Sequence, residues 1–129
     1  MRKIHFTKGF TLIEIIVVVS IIALLVTSGA VMYTKILANS RNAKRQADLE
    51  SVKSALVLYR TDIGSYPSSV NWTTMSPIGS YISTPSMAGP KGDSYVYTPA
   101  GCVSGLCKTF TICATLENTN PTTYCVKNP

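Results

Sequence analysis

Lys8–Leu25 reads KGFTLIEIIVVVSIIALL. It holds one acidic residue, Glu14, in an otherwise uncharged and mostly apolar run that continues past Leu25. Between Lys8 and Lys35, Glu14 is the sole charge. Crossing the hydrocarbon of a bilayer takes about 20 apolar residues in a helix, so the run is long enough. It is dense in β-branched residues (Ile15, Ile16, Val17, Val18, Val19, Ile21, Ile22), which in water favour a buried strand. Its length, with no turn signal before Gly29, instead reads as a helix in lipid, where every backbone polar group must be satisfied internally. A carboxylate at the middle of a bilayer costs about 2.5–3.5 kcal/mol, less near an interface, so Glu14 is expected to have a partner.

The helix need not stop at the membrane. No proline occurs before Pro67, and from Lys35 to Arg60 the pattern turns amphipathic. Leu49, Val52, Leu56 and Tyr59 recur at helical spacing while Asp48, Lys53 and Arg60 fall off that stripe. The segment DIGSYP ends it: Gly64 suits a C-terminal cap and Pro67 forbids continuation. The pattern predicts one helix over 11–61. A loop punctuated by Pro67, Pro77, Pro85 and Pro90 follows, with Trp72 and Ile78 expected to tuck onto the helix and one helical turn over 77–82. Three strand-like runs come next, 94–98, 108–116 and 123–126, with turns at 99–101 and 117–121. In them Tyr95 and Tyr97 alternate with Val96, and Phe110, Ile112 and Ala114 with Thr109, Thr111 and Cys113. These runs read as a small antiparallel meander whose inner face covers the helix stripe, since neither surface is stable alone. The fold class is therefore α+β, with a long N-terminal helix, transmembrane in its first half and amphipathic in its second, packed against a small antiparallel sheet. The expected organisation is a short basic segment over 1–9, an apolar helix half over 10–34 and a globular part over 35–129.

Charge and cysteine content narrow the function. The net charge is +6, but Arg2, Lys3 and Lys8 supply three of those charges, leaving +3 (6 − 3) if that segment is lost. The remainder is too weakly basic to read as a nucleic-acid binder. The cluster Arg41, Lys44, Arg45 is read as a solvated or headgroup-facing part of the helix. Cys102, Cys107, Cys113 and Cys125 fall together near the C-terminus, an even set that points to two disulfides and an oxidising compartment. Their spacing is too wide for paired zinc ligands, and His5 is remote, so neither a metal nor another cofactor is expected. No catalytic constellation is visible: the one histidine lies in the basic segment, no phosphate loop follows a strand, and no carboxylate pair has a useful spacing. The chain is not expected to be an enzyme.

Lys8-Gly9-Phe10-Thr11-Leu12-Ile13-Glu14 resembles the cleavage and methylation signature of the type IV pilin and pseudopilin family: a basic leader ending in glycine, then phenylalanine, then glutamate at the fifth mature position. The segment 47–67, ADLESVKSALVLYRTDIGSYP, is similar to the helix end and exit of major pseudopilins and related pilins, and CATLENTNPTTYCV resembles a pilin ending. The resemblance implies cleavage between Gly9 and Phe10 by a prepilin peptidase, which also methylates Phe10. It implies that Glu14 docks on the new α-amino group of Phe10 in a neighbouring copy, setting the register of a helical homopolymer. The implied role is a structural subunit of a type IV pilus-like filament. The alternative is the major pseudopilin of a type II secretion system. A more remote one is a soluble secreted domain released by ordinary signal cleavage after Ser28-Gly29-Ala30.

Implied partners are other copies of the chain, the peptidase-methyltransferase, an assembly machine and membrane lipid before assembly. Nucleic acid enters only through a DNA-uptake pilus. The implied location is the cytoplasmic (inner) membrane, single-pass with the N-terminus inside, and then an extracellular pilus or periplasmic pseudopilus. Two departures from the family stand out. Val31 occupies the position where many pilins carry a helix-kinking proline, so a straighter helix is expected. Beyond Asp62 the acidic residues are Asp93 and Glu117, too few for the calcium loop of major pseudopilins. The cysteines are expected to hold the end of the sheet instead. Three connectivities are open; Cys102–Cys107 with Cys113–Cys125 is favoured because each closes a local turn.

Overall fold

The computed structural model describes residues 9–84 and 86–129. The leader residues 1–8 and Pro85 of the proline-rich loop lie outside the described residues. Helix α1 spans Leu12–Ile63, and its backbone runs through Gly29 and Val31 without a break. It stops at Gly64, whose N–H donates to the Arg60 carbonyl at 2.8 Å with φ at +85°. That left-handed conformation strains any residue with a Cβ, which is why glycine closes the helix.

The chain divides into two compact units, Met1–Leu37 and Ala38–Pro129. In the first, every described side chain from Phe10 to Leu37 is exposed. An 18-residue window of α1 has a mean hydropathy of 2.7 and is entirely unburied. Water would not tolerate such a surface bare.

The second unit is built on the polar half of α1. Ala38, Asn42, Arg45, Leu49, Val52 and Leu56 are all buried, at alternating spacings of four and three, so they form one stripe. Onto it pack Phe110, Ile112, Ala114 and Val126 from the main sheet, and Tyr66, Met75, Ile78 and Tyr95 from the chain between the helix and that sheet. Each fully buried Leu or Phe side chain contributes about 1.5–3 kcal/mol relative to exposure. The rings lock edge to face: Tyr66 on Phe110 at 4.7 Å, Trp72 on Tyr95 at 5.7 Å and Tyr59 on Tyr81 at 5.9 Å. Trp72 remains half-buried, whereas Ile78 is fully enclosed, and a 3-10 turn covers Gly79–Tyr81.

Five strands follow: β1 (Tyr66–Pro67), β2 (Val96–Ala100), β3 (Leu106–Cys107), β4 (Thr109–Thr115) and β5 (Thr123–Lys127). The main sheet has the antiparallel order β2-β4-β5, with Cys113 opposite both Val96 and Cys125. Phe110, Ile112 and Ala114 face inward along β4, as their alternation predicts. Two features depart from the sequence reading. The pair β1-β3 is only two residues per strand, too short to leave a periodic signal. The turn expected at Pro99 is instead strand, since β2 runs on to Ala100.

Proline is tolerated there because β2 is an edge. Pro99 lies opposite Phe110, whose own N–H and carbonyl are engaged by Asn128 on the other side of β4, so the Pro99 nitrogen faces away from the sheet.

Candidate functional site at the N-terminal signal

Gly9, Phe10 and Glu14 lie at the start of α1. Gly9 is exposed and a Cβ built on it would meet nothing within 4 Å. Phe10 is 85% exposed. Both residues of the junction are thus exposed.

Glu14 is partnered within its own turn. Its Oε2 accepts hydrogen bonds from the Thr11 N–H and the Thr11 hydroxyl, both at 2.9 Å. The Glu14 N–H lies 3.4 Å from Thr11 Oγ1. This reciprocal arrangement is a capping box, which satisfies helix N-terminal donors that otherwise lack acceptors. The negative charge also sits at the positive end of the helix dipole. The three-residue spacing of Thr11 and Glu14 is itself a capping signal, beyond the docking charge that the family resemblance implies. The cap engages one oxygen of the carboxylate, and Oε1 has no partner among the described residues.

The apolar helix beyond is polar only where its hydroxyls turn back on the backbone. Ser20 donates to Ile16 O at 2.7 Å, and Thr27 and Ser28 to carbonyls one turn earlier. These bonds remove the cost of placing hydroxyls in hydrocarbon. The signal and the helix together make this segment a membrane anchor.

In the globular unit, the cluster Arg41, Lys44, Arg45 requires correction. Lys44 is exposed, but Arg45 is 3% exposed and Arg41 is partly buried. Arg45 donates to Asp93 Oδ2, with Nε at 3.1 Å, and its Nη1 lies 3.0 Å from Glu117 Oε1. Arg41 Nε donates to Glu117 Oε1 at 2.9 Å, and Lys91 Nζ reaches Glu117 Oε2 at 2.9 Å. Asn42 bonds both ways with the Glu117 backbone: its Nδ2 donates to the carbonyl and its Oδ1 accepts from the N–H, each at 2.8 Å. The Arg41 hydrogen bond first, and that of Lys91 next, hold the Glu117 carboxyl well below its usual range.

These contacts clamp the segments around Asp93 and Glu117 to the helix, so the two carboxylates are already committed to cations. Among the described residues no group of three metal-binding side chains occurs. Nearby, burial first and then a 2.6 Å hydrogen bond to Asp48 push the Tyr95 phenol up.

The cysteines pair as Cys102–Cys107 and Cys113–Cys125. The first closes the turn leading into β3; the second joins directly opposed residues of β4 and β5. Cys113 and Cys125 alternate with the buried Ile112, Ala114 and Val126, so this bridge lies on the outer face of the sheet.

No curated protein and no solved structure matches the chain. Residues 5–30 match the family described as the prokaryotic N-terminal methylation motif. Through the glycine-phenylalanine junction, the Glu14 turn and the apolar helix, the chain carries the prepilin-type signal of type IV pilins and pseudopilins.

Proposed function

We propose that the chain is a structural subunit of a type IV pilus-like filament, cut between Gly9 and Phe10, methylated on Phe10 and assembled through its apolar helix. The observation that carries this reading is the methylation motif over residues 5–30 leading straight into a bare apolar helix. A helix exposed on every side must be covered by lipid or by other copies of itself. The subunit first spans the cytoplasmic membrane with its N-terminus inside. An assembly machine then draws it into a polymer. Cleavage gives Phe10 a free α-amino group, and in the polymer Glu14 of a neighbouring copy meets that charge. The free Oε1 accepts it while Oε2 keeps the Thr11 cap. The chain catalyses nothing in this scheme; it is the substrate of the peptidase that processes it.

A major pseudopilin is the second reading, favoured by one observation: α1 passes Gly29 and Val31 with its helical bonds intact and without a proline. Fibre length by electron microscopy separates the two, long surface fibres against short periplasmic ones.

The founding test is mass spectrometry of the N-terminal peptide from membrane or surface fractions. The expected species begins at N-methylated Phe10. A chain beginning at Val31 makes the protein an ordinary secreted domain, and an uncut Met1 makes it a plain membrane anchor; either result removes the filament reading. Glu14→Ala is expected to leave membrane-inserted protein but few filaments, and filaments of normal number refute the docking role.

A further inference from the structure

The five carboxylates of the globular unit are all engaged. Asp48 accepts from Tyr95, Asp62 from Tyr81, and Glu50 from Tyr124 and Lys53. Asp93 and Glu117 are held by the arginine cluster. The cations are not. Lys44, Arg60, Lys108 and Lys127 have no carboxylate partner among the described residues. Two of these four, Arg60 and Lys108, line one groove of about 690 Å³. Arg60 is fixed there, its guanidinium over the Tyr66 ring at 5.1 Å and Nη1 3.3 Å from the Tyr66 hydroxyl. Ser65 also lines this groove, with its Oγ buried beneath the surface and without a hydrogen-bond partner among the described residues.

Across the loop closed by Cys102–Cys107 lies a second groove of about 460 Å³ with a different character. It is uncharged and lined by hydroxyls and an amide: Ser68, Ser69, Asn71, Thr74 and Ser76, with the Tyr59 ring as a wall. Asn71 is held in place, its Oδ1 accepting from the Thr73 and Thr74 N–H groups at 2.9 and 3.1 Å, which leaves its Nδ2 hydrogens to donate outward. Ser104 borders the first groove and Gly105 the second, and Arg60 and Tyr59 divide between them in the same way. The two grooves are therefore neighbours along Tyr59-Arg60 and Ser104-Gly105.

We propose that this end of the globular unit binds an acidic saccharide, its carboxylate between Arg60 and Lys108 and its neutral hydroxyls in the Ser68–Ser76 groove. Cations that have no internal partner attract an anion without first breaking an ion pair. The neutral groove offers paired donors and acceptors and an aromatic wall, which suit sugar rings. Double-stranded nucleic acid fits less well, because its closely spaced phosphates call for a row of cations, and the second groove has none.

The test is isothermal titration of the full-length chain in nonionic-detergent micelles, with 3′-sialyllactose (one carboxylate followed by two neutral sugars), uncharged lactose and a short DNA duplex as probes. Sialyllactose is expected to bind and lactose to bind far more weakly. Removing two charge-assisted contacts with R60Q/K108Q is expected to weaken sialyllactose binding about tenfold or more. R60K/K108R, which keeps both charges, is expected to retain most of it, and K44Q/K127Q, which removes the two cations outside the groove, to leave it unchanged. Asn71→Ala, which leaves the cations in place, is expected to weaken it as well, and it carries the test if the glutamine pair melts early. Four results overturn the proposal: no sialyllactose binding, equal binding of lactose, equal loss in K44Q/K127Q, or tighter binding of the DNA duplex through Arg60 and Lys108.

Discussion

Replacing Arg45 by Met tests whether the cation cluster holds the globular unit together. The two side chains are similar in length, so the substitution removes charge and hydrogen bonds more than volume. A surface ion pair is worth about 0–1 kcal/mol, whereas removing one partner of a buried pair costs about 3–5 kcal/mol because the other charge is left stranded. Arg45 is 3% exposed, which places it in the buried class, but its partners are not fully stranded by its loss. The Asp93 side chain is 37% exposed and can turn to water, and Glu117 keeps Arg41 and Lys91. The expected cost therefore lies below the buried-pair range, at about 2–3 kcal/mol. For a unit the size of Ala38–Pro129 that corresponds to a melting temperature lower by about 10–20 °C. Circular dichroism of the full-length chain in detergent reads it directly. Repeating the melts at raised salt checks the assignment, because a buried pair is screened far less than a surface one. A fall of under about 3 °C, or one abolished by moderate salt, would refute the reasoning, since it would place Arg45 energetically at the surface.

Other outcomes follow from the same geometry. Glu117 has a folded pKa below its ordinary value of 4.5, so its stabilisation is complete above that value and is lost as the pH falls through the depressed one. The melting temperature of the native chain is expected to drop progressively below pH 4.5, and that of Glu117→Gln, already lower at neutral pH, to drop less over the same window; parallel curves would remove Glu117 from the acid response. Gly89→Ala places a Cβ 3.1 Å from the Asp93 carbonyl and 3.2 Å from Asp93 Oδ2, so it must displace the residue that holds Arg45. The expected cost is about 1–3 kcal/mol by chemical denaturation, and a Gly89→Ala, Arg45→Met double variant should show less than the sum of the two effects. Replacing Cys113 and Cys125 together by Ala frees a short loop in the unfolded chain and is expected to cost about 3 kcal/mol, read from the denaturation midpoint.

The helix was legible because its signals are local and redundant: an apolar run, a stripe at helical spacing, and a glycine and proline that close it. The stripe was read from Leu49 onward because Asn42 and Arg45 are polar and look like solvent-facing residues. Their partners are Asp93 and Glu117, 48 to 75 residues away in sequence, and no local pattern announces a pairing at that distance. The strands showed in their alternation of Phe110, Ile112 and Ala114, but their ends did not. Pro99 reads as a turn until the neighbour on only one side is known. At the signal, the Gly9-Phe10 junction and Glu14 were read from their residue types, while the hydrogen bonds between Thr11 and Glu14 needed only the three-residue spacing that was already on view. The two grooves left no trace in the sequence, because consecutive residues such as Tyr59 and Arg60 line different cavities.

Pro99 also bears on how such a chain survives crowding. A short sheet with an open side invites foreign strands to zip onto it, and molecules held close together would meet that hazard constantly. On β2 the outward-facing nitrogen of Pro99 carries no hydrogen, so a strand arriving there finds a gap in the ladder it needs. The opposite rim, β5, ends in Lys127, whose charge resists being covered by a neighbour. Sheet-to-sheet fusion between copies is thereby disfavoured at both rims.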